Sequence, residues 1–330
     1  MKSIATFLLF LAITQANAQI LPAFGGSRSG TTGMQFLKIG PDARSNALAG
    51  SVVGEINDAS AIFWNPAGAV ELDSQKLHVQ TGNVQYFGGI GINHGSVVFQ
   101  PEQYRSFSFG IMNFRSPEMD VTTEFMPQGT GQTYVLNDLL MAFSFSQVLT
   151  DNFRFGITLK YANENVMGVV SQAGLFDFGF QYAVGVKDLM FGVAISNFGF
   201  NVNPQGEISL TTLSGFANVN EFEEFAVPAS FRMGFSGSLY NKGMHKIKGM
   251  LQLNHPTDNQ ETVSMGVEYI RNQLLFVRTG YLLGFDGTYP TFGAGVNLQR
   301  RFGTLRFDYA FIARQGLGYN QQFTLGFSVI

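Results

Sequence analysis

The chain has 330 residues, 45% hydrophobic and 13% charged, with a formal net charge of -3 and no cysteine. The charged fraction is about half the ~25% of an ordinary soluble domain, and the near-neutral, slightly acidic balance leaves no nucleic-acid footprint. Without cysteine there is no disulfide framework and no thiolate metal site.

Lys2 precedes an apolar stretch from Ile4 to Ile13, and Gln15-Ala-Asn-Ala18 follows with small residues at Ala16 and Ala18. This pattern predicts a secretory signal peptide over residues 1–18. Cleavage after Ala18 makes Gln19 the mature start and removes Lys2, which takes the net charge from -3 to -4. The stretch is short for a span of about 20 residues, which argues against a retained anchor, and no later apolar run is long enough for a membrane helix. Low charge without a membrane helix points to a transmembrane β-barrel, whose apolar residues are dispersed at every second position. A soluble β-sandwich alternates in the same way and is the competing architecture.

Residues 19–74 carry no strand pattern and are expected to form a hatch or plug segment. Its distinctive stretch is Asp58-Ala-Ser-Ala-Ile-Phe-Trp-Asn-Pro-Ala-Gly68. Asp58 can cap a short helix by accepting from the N–H of Ser60 or Ala61, and Pro66 stops it, so Trp64 and Asn65 mark its end. A helix this short does not stand alone in water. Ala59, Ile62, Phe63 and Trp64 therefore need a wall, with Asn65 and Pro66 as a polar anchor and a stop.

From residue 75 to 330 the chain falls into segments of roughly 10 to 14 residues with period-two alternation, broken by Gly, Asn, Asp and Pro. In the clearest, Phe153, Phe155, Ile157, Leu159 and Tyr161 alternate with Asn152, Arg154, Gly156, Thr158 and Lys160. The reading gives about fourteen strands, at 76–82, 88–100, 104–115, 137–149, 152–165, 173–184, 188–203, 226–240, 245–256, 260–271, 274–285, 290–301, 304–314 and 320–330. Connections after even-numbered strands are short, while those after odd-numbered strands include Ser116 to Leu136 and Pro204 to Phe225. Sorting of long and short connections by parity is the pattern of a barrel with one periplasmic and one outer rim. It places the mature amino terminus and Ile330 on the periplasmic side.

Arg154, Lys160, Arg232, Glu268, Arg278, Arg306 and Asp308 fall on inward positions, as do Lys246 and Lys248. Charges there must face a lumen or one another, since basic residues on the lipid face cost a few kcal/mol at the midplane. An ion network bracing the wall is the expected arrangement, with a substrate path as the alternative. The four histidines, His78, His94, His245 and His255, have no metal-ligand spacing, and no serine has a nucleophile-elbow setting. No cofactor, metal or enzymatic activity is predicted. The long loops carry Met119, Phe125 and Met126 in one and Leu210, Leu213, Phe216, Glu223 and Phe225 in the other. Their apolar content exceeds what solvation needs, so they are candidates for an extracellular cap over the barrel mouth or a surface that binds partner proteins.

Phe36-Leu-Lys-Ile-Gly40, Ala43-Arg44, Ala49-Gly50, Asp58-Ala-Ser60 and Asn65-Pro-Ala-Gly68 stand in order within some thirty residues. With the strands behind them they resemble the PorV/PorQ family of outer-membrane proteins, a branch of the FadL-like barrels. The resemblance implies fourteen strands, an amino-terminal hatch in the lumen and an outer-membrane location in lipid. It further implies a non-enzymatic role in type IX protein secretion or cell-surface attachment, with secretion-system proteins or exported cargo as partners. The alternative it carries is a FadL-type passive transporter of a hydrophobic ligand across the outer membrane.

Overall fold

A computed structural model describes residues 29–330 except 71–75, 187, 213–214, 286, 302 and 330, with the backbone alone for the rest of 210–217. The expected signal peptide lies outside the described residues. Fourteen antiparallel strands close into one barrel. In chain order they are β1 (Leu77–Gln85), β2 (Gly91–Glu102), β3 (Arg105–Arg115), β4 (Leu136–Thr150), β5 (Phe153–Val166), β6 (Val169–Ala183) and β7 (Met190–Gly199). Then follow β8 (Ser230–Lys242), β9 (His245–Pro256), β10 (Thr262–Arg271), β11 (Leu275–Leu283), β12 (Thr291–Arg300), β13 (Gly303–Arg314) and β14 (Gly318–Val329). Each strand pairs with its neighbours in the chain, and β1 closes on β14 from Leu77 opposite Val329 to Gln85 opposite Gln321. Closure leaves no free edge and satisfies the backbone internally, as lipid requires. No described helix is long and apolar enough to cross a membrane.

The period-two pattern maps onto the two faces. Phe107, Phe109, Phe143, Leu159 and Phe178 are exposed on the outside, while Ser106, Ser108, Ser144, Ser146 and Thr158 are buried on the inside. The turns at 103–104, 151–152, 243–244 and 272–274 define a short-turn rim. The opposite rim carries the long connections, and these are not wholly irregular. Met119–Asp120 pairs with Thr133–Tyr134, and Ile208–Thr212 pairs with Gly215–Val219. Such two-residue and five-residue ladders inside long polar stretches are too short to stand out by alternation.

The amino-terminal segment fills the barrel. It holds two short helices, α1 (Ala43–Ala47) and α2 (Ala61–Trp64), and a 3-10 turn at Pro66–Val70. Asp42 caps α1 by accepting from the Ser45 N–H at 2.9 Å. At α2 the capping position belongs to Ser60, and Asp58 acts two residues earlier, accepting from the Ser60 N–H at 3.0 Å and its hydroxyl at 2.5 Å.

The sequence pattern puts the mature amino terminus at the periplasmic rim. Gln19 lies outside the described residues, but Thr32 bridges Ala226, and Thr32 and Lys38 reach Asp258, all at the long-loop rim. Residues 29–40 therefore form a strap that runs from that rim inward to the plug. Leu77 at the far end of the segment stands at the other rim, opposite Val329. A segment without periodicity carries no signal for its direction through a lumen.

Candidate functional site: the plugged lumen

The plug comes closest to the wall where strands present glycine. Ile62 and Phe63 lie on Gly110, Pro66 on Gly156, Asn65 on Gly179, Val53 on Gly192, Ser51 on Gly266 and Leu48 on Gly280. A Cβ at any of these six positions would press on the plug, so inward glycine is what allows a chain segment to occupy so narrow a barrel. Asn65 is fully buried and donates to Val53 O at 2.7 Å and Phe180 O at 3.2 Å, while its Oδ1 accepts from the Ala67 N–H at 3.2 Å. Ser146 on the wall donates to Pro66 O at 2.6 Å. Asp58, Ile62, Phe63, Trp64, Asn65 and Pro66 are all buried inside the barrel.

The other half of the plug is held by charge. Arg44 contacts Glu55 at 2.7 Å and Glu268 on β10 at 3.4 Å, and Glu55 also takes Lys248 from β9 at 2.7 Å. Arg278 on β11 joins Glu268 and Asp308, each at 2.6 Å. Arg306 on β13 joins Asp308 at 2.7 Å and reaches back to Asp58 in the plug at 3.6 Å. These groups form one continuous chain from Lys248 to Asp58, in which every carboxylate has a basic partner. Burial opposes the charge on Arg44, but Glu268, Glu55 and Asp58 outweigh it and hold its pKa well above the ordinary value. Burial likewise would raise Asp58, yet Arg306 and Arg44 prevail and lower it. On the opposite wall Lys160 pairs with Asp177 at 2.5 Å and Asn197 at 2.9 Å. Arg154 is buried near the short-turn rim.

Trp64 is the chain's one tryptophan. Its ring seats against Gly40 and Gly50, where a Cβ would intrude, and its Nε1–H donates to Asp42 Oδ1 at 2.5 Å. The Arg232 guanidinium lies over its face, 5.5 Å from the ring centroid, and donates to Ser196 at 2.7 Å. Burial, with the nearby charge of Asp58, raises the Asp42 pKa to about 6.

Above this layer the strap divides the outer lumen into two chambers. One, of about 350 Å³, has Phe63 and Trp64 in its lining and Ile39, Leu282, Phe285 and Tyr289 around it, together with the amides of Asn197, Gln252 and Asn254. Among the described residues its lining includes Lys38, Arg232 and Arg314 and no carboxylate. The second, of about 610 Å³, lies between the strap and the wall at Phe114, Asp138 and Glu164. Below the plug a polar chamber of about 910 Å³ opens at the short-turn rim, lined by Arg44, Glu55, Asp58, Lys246 and Arg306 among others. Among the described residues none lines both an outer chamber and this inner one.

The histidines stay apart from one another: His78 and His94 are buried on the inner wall, His245 contacts the Tyr269 hydroxyl at 2.7 Å, and His255 pairs with Glu261 at 2.9 Å. The described residues contain no group of three potential metal ligands. In the long loops Phe125 and Met126 are exposed, Met119 is half-buried and Glu223 is exposed. Phe225 differs: it packs on Gly33 and the core, clamping the strap instead of facing outward. Leu213 lies outside the described residues, as do the side chains of Leu210 and Phe216. The sequence reading passed over Asp42, Glu55 and Asp258. Asp42 stands three residues before Ser45 in a capping pattern that could have flagged it, whereas nothing local marks the other two.

No family model matches the chain, and no curated protein matches it. Solved structures do share its fold. The CymD monoaromatic hydrocarbon channel aligns with a TM-score of 0.58 and 13% identity over 88% of this chain and 96% of its own. The Pseudomonas putida toluene transporter TodX gives 0.57 and 12% over 88% and 97%. A Pseudomonas aeruginosa FadL homologue gives 0.54 and 12% over 88% and 98%. At such identities the likeness concerns the fold: the chain is a closed fourteen-stranded antiparallel β-barrel of the architecture these structures share, with residues 41–70 inside it.

Proposed function

We propose that the protein lets small hydrophobic molecules pass the outer membrane, entering from the long-loop rim and resting on Trp64 before the plug yields. One observation carries this reading: the smaller outer chamber has an aromatic floor, Phe63 and Trp64, that belongs to the plug itself. A ligand there touches the group that must move, so binding and opening are coupled through contact. The volume of about 350 Å³ falls within the range of small-molecule pockets. The neighbouring folds described as a hydrocarbon channel and a toluene transporter support the same reading. The test is uptake of radiolabelled toluene by cells with and without the protein in their outer membrane, alongside Leu282→Trp, which fills the chamber. Faster uptake with the wild type and basal uptake with Leu282→Trp supports the proposal; equal uptake in all three refutes it.

A second reading, docking of secretion-system proteins or their cargo, is supported by Phe125 and Met126, 52% and 49% exposed at the outer rim. The motif residues behind the PorV/PorQ resemblance do not add to it, because Arg44, Asp58 and Asn65 serve the plug. Co-isolation of a partner with the wild type and its loss in Phe125→Ser/Met126→Ser would favour docking over passage.

A further inference from the structure

The second outer chamber contains an arrangement that hydrocarbon passage does not use. Across three adjacent strands Phe114 stands opposite Asp138, and Asp138 stands opposite Glu164. All three line the chamber. Two carboxylates directly opposite one another on neighbouring strands repel unless something positive or a shared proton lies between them. Neither forms a salt bridge among the described residues. Asp138 is 1% exposed and its Oδ1 has no hydrogen-bond partner. Two basic groups line the same chamber without pairing with either carboxylate: Lys38 pairs with Asp258 at 2.9 Å, and Arg314 stacks on Phe285, 5.0 Å from the ring centroid, with its Nη1 left without a hydrogen-bond partner.

The rest of the lining decides which cation fits. Phe36 and Phe114 tilt together with ring centroids 6.5 Å apart, and Tyr86, Met34, Leu136 and Ile312 add to this apolar part of the wall; Lys38, Arg314 and the amides of Gln35, Asn46, Asn320 and Gln322 also line the chamber. A calcium ion takes six to eight oxygen ligands, and this chamber offers two carboxylates, with the aromatic rings of Phe36, Tyr86 and Phe114 and the basic groups of Lys38 and Arg314 in the same lining. Aromatic faces beside a buried carboxylate instead suit an ammonium centre that carries apolar substituents. We propose that Asp138 and Glu164, with Phe36, Phe114 and Tyr86, form a site for an aryl or alkyl ammonium ion, separate from the Trp64 chamber and independent of the hydrocarbon reading.

The test is equilibrium dialysis of the purified full-length barrel with radiolabelled benzyltrimethylammonium, competed by calcium and by neopentylbenzene, its uncharged isostere. The site predicts saturable binding, weakened about tenfold or more in Asp138→Asn and in Glu164→Gln, with little competition from either competitor. Unchanged affinity in both variants, or equal competition by neopentylbenzene, overturns it and leaves the two carboxyls with a shared proton only. Heat-modifiable migration confirms that each variant is a folded barrel; if Asp138→Asn does not fold, Glu164→Gln and the wild-type competition decide. Toluene uptake should be the same in both variants, so failure of this site and failure of the passage reading are told apart.

Discussion

The Asn65 carboxamide occupies the space in which a Cβ on Gly179 would stand. Plug and wall are therefore fitted to each other at β6, and the fit depends on a missing side chain. Gly179→Ala should displace Asn65 and Pro66, at a cost of roughly 1–3 kcal/mol typical of overpacking. The expected outcome is a folded barrel with a lower thermal midpoint and increased leakage of small solutes, measured by heat-modifiable migration and by antibiotic sensitivity.

Removing the anchor from the other side should act in the same direction. Asn65→Leu loses the bonds to Val53 O and Phe180 O, and leaving buried carbonyls without a donor costs about 1–3 kcal/mol. Asn65→Leu combined with Pro66→Ala should leak more than either alone. A sealed double variant would show that the ion network is enough to hold the plug.

Arg278 tests that network. It has no exposed side-chain surface and bridges Glu268 and Asp308. Truncation to Met leaves two buried carboxylates short of a partner, and breaking a buried pair costs roughly 3–5 kcal/mol. Arg278→Met should lower the unfolding midpoint in urea sharply, and adding Asp308→Asn should recover part of the loss.

Trp64 makes the plug observable by fluorescence. The Asp42 carboxyl bonded to its Nε1–H has a pKa raised to about 6 by burial and by Asp58, against an ordinary 3.8. A raised carboxyl pKa means that the folded state holds the proton more tightly. This group's contribution is therefore most favourable below pH 3.8, falls as pH rises toward 6 and is constant above. Trp64 emission should titrate with a midpoint near 6, and Asp42→Asn should abolish the transition and flatten the stability profile between pH 4 and 6.

Alternation between Phe155, Ile157 and Leu159 and their polar neighbours sufficed to place the strands, because one face meets lipid and the other does not. It also assigned Glu268, Arg278 and Asp308 to the inside. It could not pair them with Arg44 or Asp58, since a lumen joins residues distant in sequence through space that no local pattern encodes. The short helix ending at Pro66 was legible from its stop signal. The strap was not: its course depends on Asp258, which accepts from Thr32, Gln35 and Lys38 more than 200 positions away in the chain.

On the proposed function, a hydrophobic molecule reaches the plug through the chamber floored by Trp64. Heavy-atom quenching of Trp64 by bromobenzene in the purified barrel tests it most directly, because such quenching needs contact. The account predicts saturable quenching that toluene competes away and that Leu282→Trp/Trp64→Phe, read through the new tryptophan in the chamber wall, no longer shows as competition. Linear quenching by bromobenzene, unaffected by toluene, would contradict it.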